Sequence, residues 1–262
     1  MSSISTQSRV SCNSDLVAEL TAQRYSHPVL FTILAALASL HFYTMNTAQP
    51  EKGREKMLSK QEFTATWSSL HNDAPVSGVV AWWLNISYRC GLVATLLRIS
   101  PNVLTMLGLV AAAATALTAT SWWAVLFLVF SLFCDGIDGS VAIFQKRQSA
   151  WGATLDSVVD RISEAFWLYA LYVIGVPAWL VITLWSVASF QEYARAKLVS
   201  LGVTDIGVVT PAERPVRASF LFVVLIMWQL NLPGVYVLSV AFLALQISGF
   251  LMVVRFARSQ LH

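Results

Sequence analysis

Residues 135–160 decide the fold: DGIDGSVAIFQKRQSAWGATLDSVVD sets four aspartates into otherwise apolar sequence. Asp135 and Asp138 lie three residues apart, so on a helix they share one face. Asp156 and Asp160 lie four residues apart and share a face of a second helix. Four carboxylates that converge in a poorly solvated place repel one another, and a hard divalent cation such as Mg²⁺ or Ca²⁺ relieves that repulsion. The stretch therefore predicts a metal site between two helices.

The chain as a whole is too apolar for a soluble protein. Of its 262 residues, 56% are hydrophobic and only 12% are charged, about half the charged share that is usual in soluble domains. Six apolar runs approach the roughly 20 residues that a membrane-spanning helix needs. They cover about 102–119, 121–144, 152–174, 177–199, 215–231 and 234–254. The composition indicates an all-α integral membrane protein with six transmembrane helices.

The N-terminal part differs from these six runs. Residues 1–78 are predicted to form an extension of unknown role, and 79–258 the membrane domain. The apolar run 29–45 is of marginal length and is interrupted by His41, so a short span, an interfacial helix or a segment upstream of the natural start are all open. Residues 79–97 mix aromatic side chains with arginine and asparagine, which predicts an amphipathic helix in the membrane interface.

Positive charge is found on alternate links between the predicted spans. The links near residues 120, 175 and 232 carry no charge, whereas the other links and the C-terminal end carry lysine and arginine. Basic links face the cytoplasm in most membrane proteins. We therefore expect a multi-pass protein of the cell membrane whose acidic site faces the cytoplasm. The net charge of +3 is small, and we expect no nucleic-acid partner.

The spacing D-x-x-D-G-x-x-A, followed by G-x-x-x-D-x-x-x-D, resembles the signature of the CDP-alcohol phosphotransferase family. In this chain it consists of Asp135, Asp138, Gly139, Ala142, Gly152, Asp156 and Asp160. The resemblance covers roughly residues 79–258. It implies a membrane enzyme of phospholipid biosynthesis that moves a phosphatidyl group from a CDP-linked donor, most often CDP-diacylglycerol, to an alcohol and releases CMP. It also implies two divalent ions, Mg²⁺ or Mn²⁺, and a homodimer.

The resemblance also implies roles for single residues. The metal ligands would be Asp135, Asp138, Asp156 and Asp160. Asp160 would in addition be the catalytic base that takes the proton of the acceptor hydroxyl. The nucleotide of the donor would contact Asp138, Gly139, Ala142 and Gly152, together with Lys146 and Arg147 from the link. For Gly139 and Ala142 the alternative is close helix packing through small residues.

One position departs from the family pattern. The family has arginine directly after the motif alanine, and this chain has Ile143. Either Lys146 or Arg147 supplies the missing charge, or donor binding is weakened. In the extreme case the chain is a catalytically silent membrane binding protein. If neither basic residue compensates, Ile143→Arg should strengthen donor binding.

The acceptor is predicted from a second basic group, Arg195, Arg214 and Arg217, near the cytoplasmic ends of the fourth and fifth predicted spans. Arginines there suit an anionic head group, or they only orient the spans. The arrangement is similar to bacterial phosphatidylinositol-phosphate synthases, but Tyr193 stands where those carry lysine. We therefore expect glycerol 3-phosphate or another polar alcohol, with inositol phosphate as the alternative. An ion transporter is disfavoured because the two halves of the chain show no internal symmetry.

Overall fold

The computed structural model describes residues 58–70, 75–203 and 209–261, which contain eight helices and no strand. In chain order these are α1 (Lys60–Leu70), α2 (Gly78–Leu96), α3 (Pro101–Leu117), α4 (Trp123–Phe144), α5 (Ala150–Val173), α6 (Ala178–Ser200), α7 (Arg214–Gln229) and α8 (Val235–Leu261). The all-α prediction is confirmed for this part of the chain. The apolar run 29–45 lies outside the described residues.

Helices α3 to α8 occupy the six predicted spans with closely similar limits, except that α8 continues to Leu261. By length and composition, α4 and α8 are each apolar enough to cross a membrane. A third candidate arises if Val80–Leu96 and Pro101–Leu117, which meet at 107°, together form one broken span. The chain therefore has the helices of a membrane protein, and the number of six crossings stays a prediction.

Local sequence explains where the helices around the acidic stretch begin and end. Ser100 caps α3 by accepting a hydrogen bond from the Val103 amide, and Pro101 follows at the first helical position. Ser149 caps α5 in the same way through the amide of Gly152, at 3.0 Å. Helix α4 ends at Phe144, and Lys146, two residues later, has a left-handed φ of 53° that turns the chain away from the helix axis.

Helix α3 holds the two acid-bearing helices in position, because it packs against both α4 and α5. Its closest approach to α4 is at Gly108, whose carbonyl accepts a 2.7 Å hydrogen bond from the Ser131 hydroxyl. A Cβ at Gly108 would lie 3.3 Å from the Cβ of Cys134, so a larger residue would push the helices apart. The N-terminal end of α7 also packs against α4 and α5, which brings the basic Arg214 to the acids.

Helices α1 and α2 pack against the C-terminal end of α4. Phe63 of α1 is fully buried and packs against Leu84, Ile143 and Phe144. A helix thus occupies the predicted interfacial segment, and its position relative to the membrane stays a prediction. The boundary of the membrane domain at residue 79 also stays a prediction, although α1, within the predicted extension, packs on the same cluster of side chains.

Candidate metal and nucleotide site

Three of the four motif aspartates come together between α4 and α5. Each of Asp135, Asp156 and Asp160 offers a carboxylate oxygen, and these atoms all lie within 4.8 Å of one another. All three residues are partly buried. Hard oxygen donors so closely spaced suit Mg²⁺ or Mn²⁺, because a divalent ion removes the repulsion between them. The residues therefore fit the predicted metal.

The fourth aspartate, Asp138, has different neighbours. It is buried, its Oδ2 accepts a 2.6 Å hydrogen bond from the Thr105 hydroxyl, and its Oδ1 accepts one from the Gly139 amide. It is not a member of the group of three described carboxylates. Each of its oxygens keeps a further lone pair, and Asp138 lines the same cavity as Asp135 and Asp156. Its predicted role as a ligand is neither confirmed nor excluded.

Arg214 inserts its guanidinium between the acids. Its Nη1 donates a 2.6 Å hydrogen bond to Oδ1 of Asp135, and its Nη2 lies 2.7 Å from Oδ1 of Asp160. The second contact is an ion pair without hydrogen-bond geometry, so that this buried Asp160 oxygen has no hydrogen-bond partner. The guanidinium also lies over the Trp167 ring, 5.5 Å from its centroid. Arg214, predicted to bind the acceptor, thus contacts two of the three clustered acids.

A cavity of about 530 Å³ opens beside the acids. Asp138, Gly139, Ala142 and Gly152 line it, as predicted for the nucleotide site. A Cβ built on Gly139 meets no atom within 4 Å, so this glycine faces open space and does not mediate helix packing. The open side of Gly139 favours a ligand role over the packing alternative that the sequence left open.

Of the two basic residues in the link after α4, only one lines this cavity. Arg147 lines it and is exposed, whereas Lys146 is exposed and is not among the lining residues. Ile143 is only 6% exposed and packs against Phe63 and Leu84. Ile143 also lines the cavity, so an arginine at position 143 would either crowd this apolar cluster or extend into the cavity.

The other two predicted acceptor arginines are already paired. Arg195 donates to Glu213 at 2.7 Å and lies 3.8 Å from Glu192. Arg217 is buried, donates through Nε to Glu164 at 2.9 Å and also contacts Glu192 at 3.1 Å. Burial raises the pKa of Glu213, but hydrogen bonds from Arg195 and from the amide and hydroxyl of residue 210 lower it to about 2. Arg217 therefore lies within the packed interior, and Arg195 keeps a more exposed position.

Sequence reasoning missed several residues around the site. Glu164 is only 2% exposed and forms ion pairs with Arg161, with Arg217 and, at 3.9 Å, with Arg214. Its position four residues after Asp160, on the same helical face, was an available signal. Thr105 donates a hydrogen bond to Asp138, and the spacing of the acids gave no sign of it. No pattern in the sequence placed Trp67 in the cavity wall, where it lies.

Comparison with known proteins identifies related sequences. The family model for CDP-alcohol phosphatidyltransferases matches residues 98–256. The archaetidylinositol phosphate synthase of Aeropyrum pernix is 40% identical over 111 residues, which are 40% of this chain and 57% of that protein. The archaetidylinositol phosphate synthase of Pyrococcus horikoshii is 29% identical over 161 residues, 58% of this chain and 82% of that protein.

The fold also resembles solved structures. Crystal structures of phosphatidylinositol phosphate synthase from Mycobacterium tuberculosis have been solved in complex with manganese and citrate and with CDP-DAG bound. The manganese complex gives a TM-score of 0.52 at 22% identity, covering 66% of this chain and 87% of that chain. The CDP-DAG complex gives a TM-score of 0.52 at 23% identity, covering 66% of this chain and 92% of that chain. At these identities the likeness concerns the fold.

Proposed function

The chain belongs to the CDP-alcohol phosphatidyltransferase family, and we propose that it transfers a phosphatidyl group from CDP-diacylglycerol to a phosphorylated polyol and releases CMP. The observation that carries the proposal is the convergence of Asp135, Asp156 and Asp160 beside a cavity of about 530 Å³. Oxygen ligands for a metal and space for a nucleotide are thus adjacent. This reaction is a step of phospholipid biosynthesis.

Asp135, Asp156 and Asp160 would hold a metal ion, and Asp138 would help to hold the second ion that the family resemblance implies. A divalent ion there supplies positive charge that neutralises the donor diphosphate and polarises the phosphoryl group under attack. Manganese in the M. tuberculosis relative supports this choice of metal. Mg²⁺ and Mn²⁺ share the preference for oxygen ligands, and we propose that both support activity.

The donor nucleotide would occupy the cavity between α4 and α5. Gly139 leaves its side of α4 open. The small residues Ala142 of α4 and Gly152 of α5 also line the cavity. Ile143 stands at the position of the motif arginine. Arg147 is the charged residue of the link that lines the cavity, so it would supply the missing positive charge. An arginine can donate two hydrogen bonds to one phosphate group, and Lys146, outside the lining, has a smaller part.

In the transfer step the acceptor hydroxyl oxygen attacks the phosphorus of the phosphatidyl group, and the bond from that phosphorus to the CMP oxygen breaks. Asp160 would take the hydroxyl proton, the role that the family resemblance implies for it. Arg214 orients this carboxylate from 2.7 Å. CMP leaves with the electron pair of the broken bond.

We propose inositol phosphate as the acceptor, because the relatives described above are named archaetidylinositol phosphate synthase and phosphatidylinositol phosphate synthase. Arg214 and Arg195 would contact its phosphate. Arg195 would do so by exchanging Glu213 or Glu192 for it, whereas buried Arg217 holds Glu164 and α7 in place. Tyr193, at the position of a lysine in the similar synthases, is 71% exposed. Glycerol 3-phosphate therefore remains the second candidate acceptor.

The same proposal includes topology and assembly. The six helices α3 to α8 would each cross the cell membrane, with the acids opening to the cytoplasm because the basic links lie at that end. The chain would act as a homodimer, as the family resemblance implies. Crosslinking in native membranes tests the second point, since a monomer-only pattern would refute it.

An acceptor panel tests the proposed reaction. Purified protein in vesicles with CDP-diacylglycerol and Mn²⁺ would receive inositol phosphate, glycerol 3-phosphate or unphosphorylated inositol, and mass spectrometry would identify the lipid product. We expect phosphatidylinositol phosphate. Arg195→Gln should raise KM for the acceptor and leave KM for the donor unchanged, whereas Arg255→Gln, an exposed position on α8, should change neither. A product from glycerol 3-phosphate alone would reassign the acceptor, and no product from any acceptor would refute the transferase.

A further inference from the structure

Helix α1 lies outside the family match at residues 98–256, yet it forms part of the wall of the cavity. Two of its side chains, Trp67 and Leu70, line the same space as Asp138 and Gly139. Trp67 is partly buried and also packs against the cluster around Phe63. The indole is thus held by protein on one side and borders the cavity on another.

Several contacts fix α1 in this position. Ser59 and Glu62 form a capping box, in which the Ser59 amide donates to the Glu62 carboxylate at 2.8 Å and the Glu62 amide donates back to the Ser59 hydroxyl at 3.3 Å. The Phe63 ring packs on Tyr88 with centroids 5.7 Å apart. The Tyr88 hydroxyl donates to the Leu58 carbonyl at 3.2 Å. Helix α1 is therefore anchored on α2, which makes its cavity-facing residues rigid enough to recognise a ligand.

The docking of α1 depends on the residue that departs from the family motif. Ile143 forms one buried cluster with Phe63, Leu84 and Phe144. An arginine there would place a charge beside fully buried Phe63, which is unfavourable without a partner. The chain thus has an apolar contact for α1 where the family has a charge, and the same helix brings Trp67 to the cavity.

We propose that Trp67 stacks against the cytosine base of the donor nucleotide; this inference rests on the proposed function. The acids would hold the metal at one end of the cavity, and the metal would hold the diphosphate there. Trp67 packs near Ile143, which lies eight residues beyond Asp135, or roughly 12 Å along α4 at ~1.5 Å per residue. A nucleotide with its phosphates at the acids extends its base in this direction. An indole face is a good stacking partner for any base.

The polarity of this end of the cavity favours the base over the acyl chains of the donor. Arg147, Gln148 and Ser149 line the same cavity as Trp67, and all three are exposed. Acyl chains belong in the apolar part of the membrane, away from such side chains. A planar, polar heterocycle instead matches an aromatic face with hydrogen-bonding groups around it.

Calorimetry in lipid nanodiscs with Mn²⁺ tests the stacking, with CDP and base-free pyrophosphate as the two probes. Trp67→Leu keeps an apolar side chain but removes the aromatic face, and we expect CDP to bind about fivefold to a hundredfold more weakly. Pyrophosphate binding should not change. Trp67→Phe should show a smaller loss for CDP. Trp82→Leu is the matched control, since Trp82 is 63% exposed on α2 and does not line the cavity.

The outcomes separate this inference from the proposed function. Wild-type protein that binds no CDP in Mn²⁺ would refute both. Unchanged CDP affinity in Trp67→Leu, or an equal loss for CDP and pyrophosphate, would refute the stacking and leave the transferase standing. Should Trp67→Leu fail to fold, 5-fluorotryptophan labelling of the wild type gives a second measurement. The ¹⁹F resonance that disappears in Trp67→Phe should shift with CDP and not with pyrophosphate, and a resonance unmoved by CDP would overturn the proposal.

Discussion

At the scale of single residues, the open side of α4 at Gly139 has the most direct consequence. A side chain at this position meets no atom within 4 Å of its Cβ, so Gly139→Leu should fold. The helix should gain about 0.5–1 kcal/mol because glycine is a poor helix former. The same side chain would fill the cavity and prevent CDP binding. We expect a raised melting temperature together with lost CDP affinity by calorimetry, and Gly139→Ala should show a milder loss. Full CDP affinity in Gly139→Leu would place the nucleotide elsewhere.

The buried environment of Ile143 leads to a second prediction. Ile143→Arg restores the family residue, but it adds volume and charge to a cluster that contains fully buried Phe63. Overpacking of this cluster should lower the free energy of unfolding by about 1–3 kcal/mol. Ile143→Val, the control, should cost only about 0.5–1.5 kcal/mol. Thermal unfolding in detergent measures both, and an unaltered melting temperature in Ile143→Arg would show that α1 does not need an apolar residue there.

Sequence reasoning at this scale succeeded where residues lie close in the chain. The i, i+4 spacing placed Asp156 and Asp160 on one helical face, and carboxylate oxygens of both lie within 4.8 Å of each other. It could not show that Arg214, far along the chain, lies between Asp135 and Asp160. That contact depends on how α7 packs against α4 and α5, which no local pattern encodes.

At the scale of elements, the start of α7 depends on Glu213. Its carboxylate accepts from the Arg195 guanidinium at 2.7 Å and from the residue 210 amide at 2.7 Å, which ties α6 and the preceding link to α7. These bonds lower the pKa of Glu213 from 4.5 to about 2 against the effect of burial. The stabilisation is therefore complete above the unfolded pKa and is lost as the pH falls through the folded one.

This linkage gives a prediction about pH. Wild-type protein should melt at a higher temperature than Glu213→Gln at pH 7, because the Arg195 ion pair is intact. The difference should shrink as the pH falls from 4.5 towards 2. Thermal unfolding in detergent across this range measures the melting temperatures of both proteins. Their difference removes the contribution of the other carboxylates, because both proteins share them. A difference that does not depend on pH would mean that the Glu213 charge does not stabilise the start of α7.

Hydrophobic runs predicted the positions of α3 to α8, because the polar residues that flank a continuous apolar stretch mark where the helix begins and ends. The cap residues Ser100 and Ser149 mark two of those limits. Helix α1 was not predicted as part of the site, because its segment is polar in sequence and packs on the fold through only a few apolar side chains, Phe63 and Trp67 among them. Such long-range docking depends on tertiary contacts.

At the scale of the whole molecule, the distribution of basic residues predicts the orientation. In a background without native cysteines, single cysteines at Thr120, Ala178 and Leu232 should react with an impermeant reagent added outside intact cells. Cysteines at Gln148 and Leu201 should react only after the membrane is opened. All five positions are exposed. The reverse pattern would put the acidic site outside the cell.

The proposed function itself rests on the carboxylates beside the cavity. Asp156→Asn keeps the shape of a partly buried residue and removes one charged ligand, so the affinity for the metal falls and turnover with it. Ser157→Ala is a matched control, since Ser157 is the exposed neighbour on the same turn of α5.

The most direct measurement is CMP release from CDP-diacylglycerol in vesicles, with inositol phosphate present, for wild type and both variants, with Mn²⁺ and with EDTA. We expect Mn²⁺-dependent CMP from wild type and Ser157→Ala, and none from Asp156→Asn or with EDTA. CMP release that persists in Asp156→Asn, or that does not require a divalent ion, would contradict a metal-dependent transferase built on these acids.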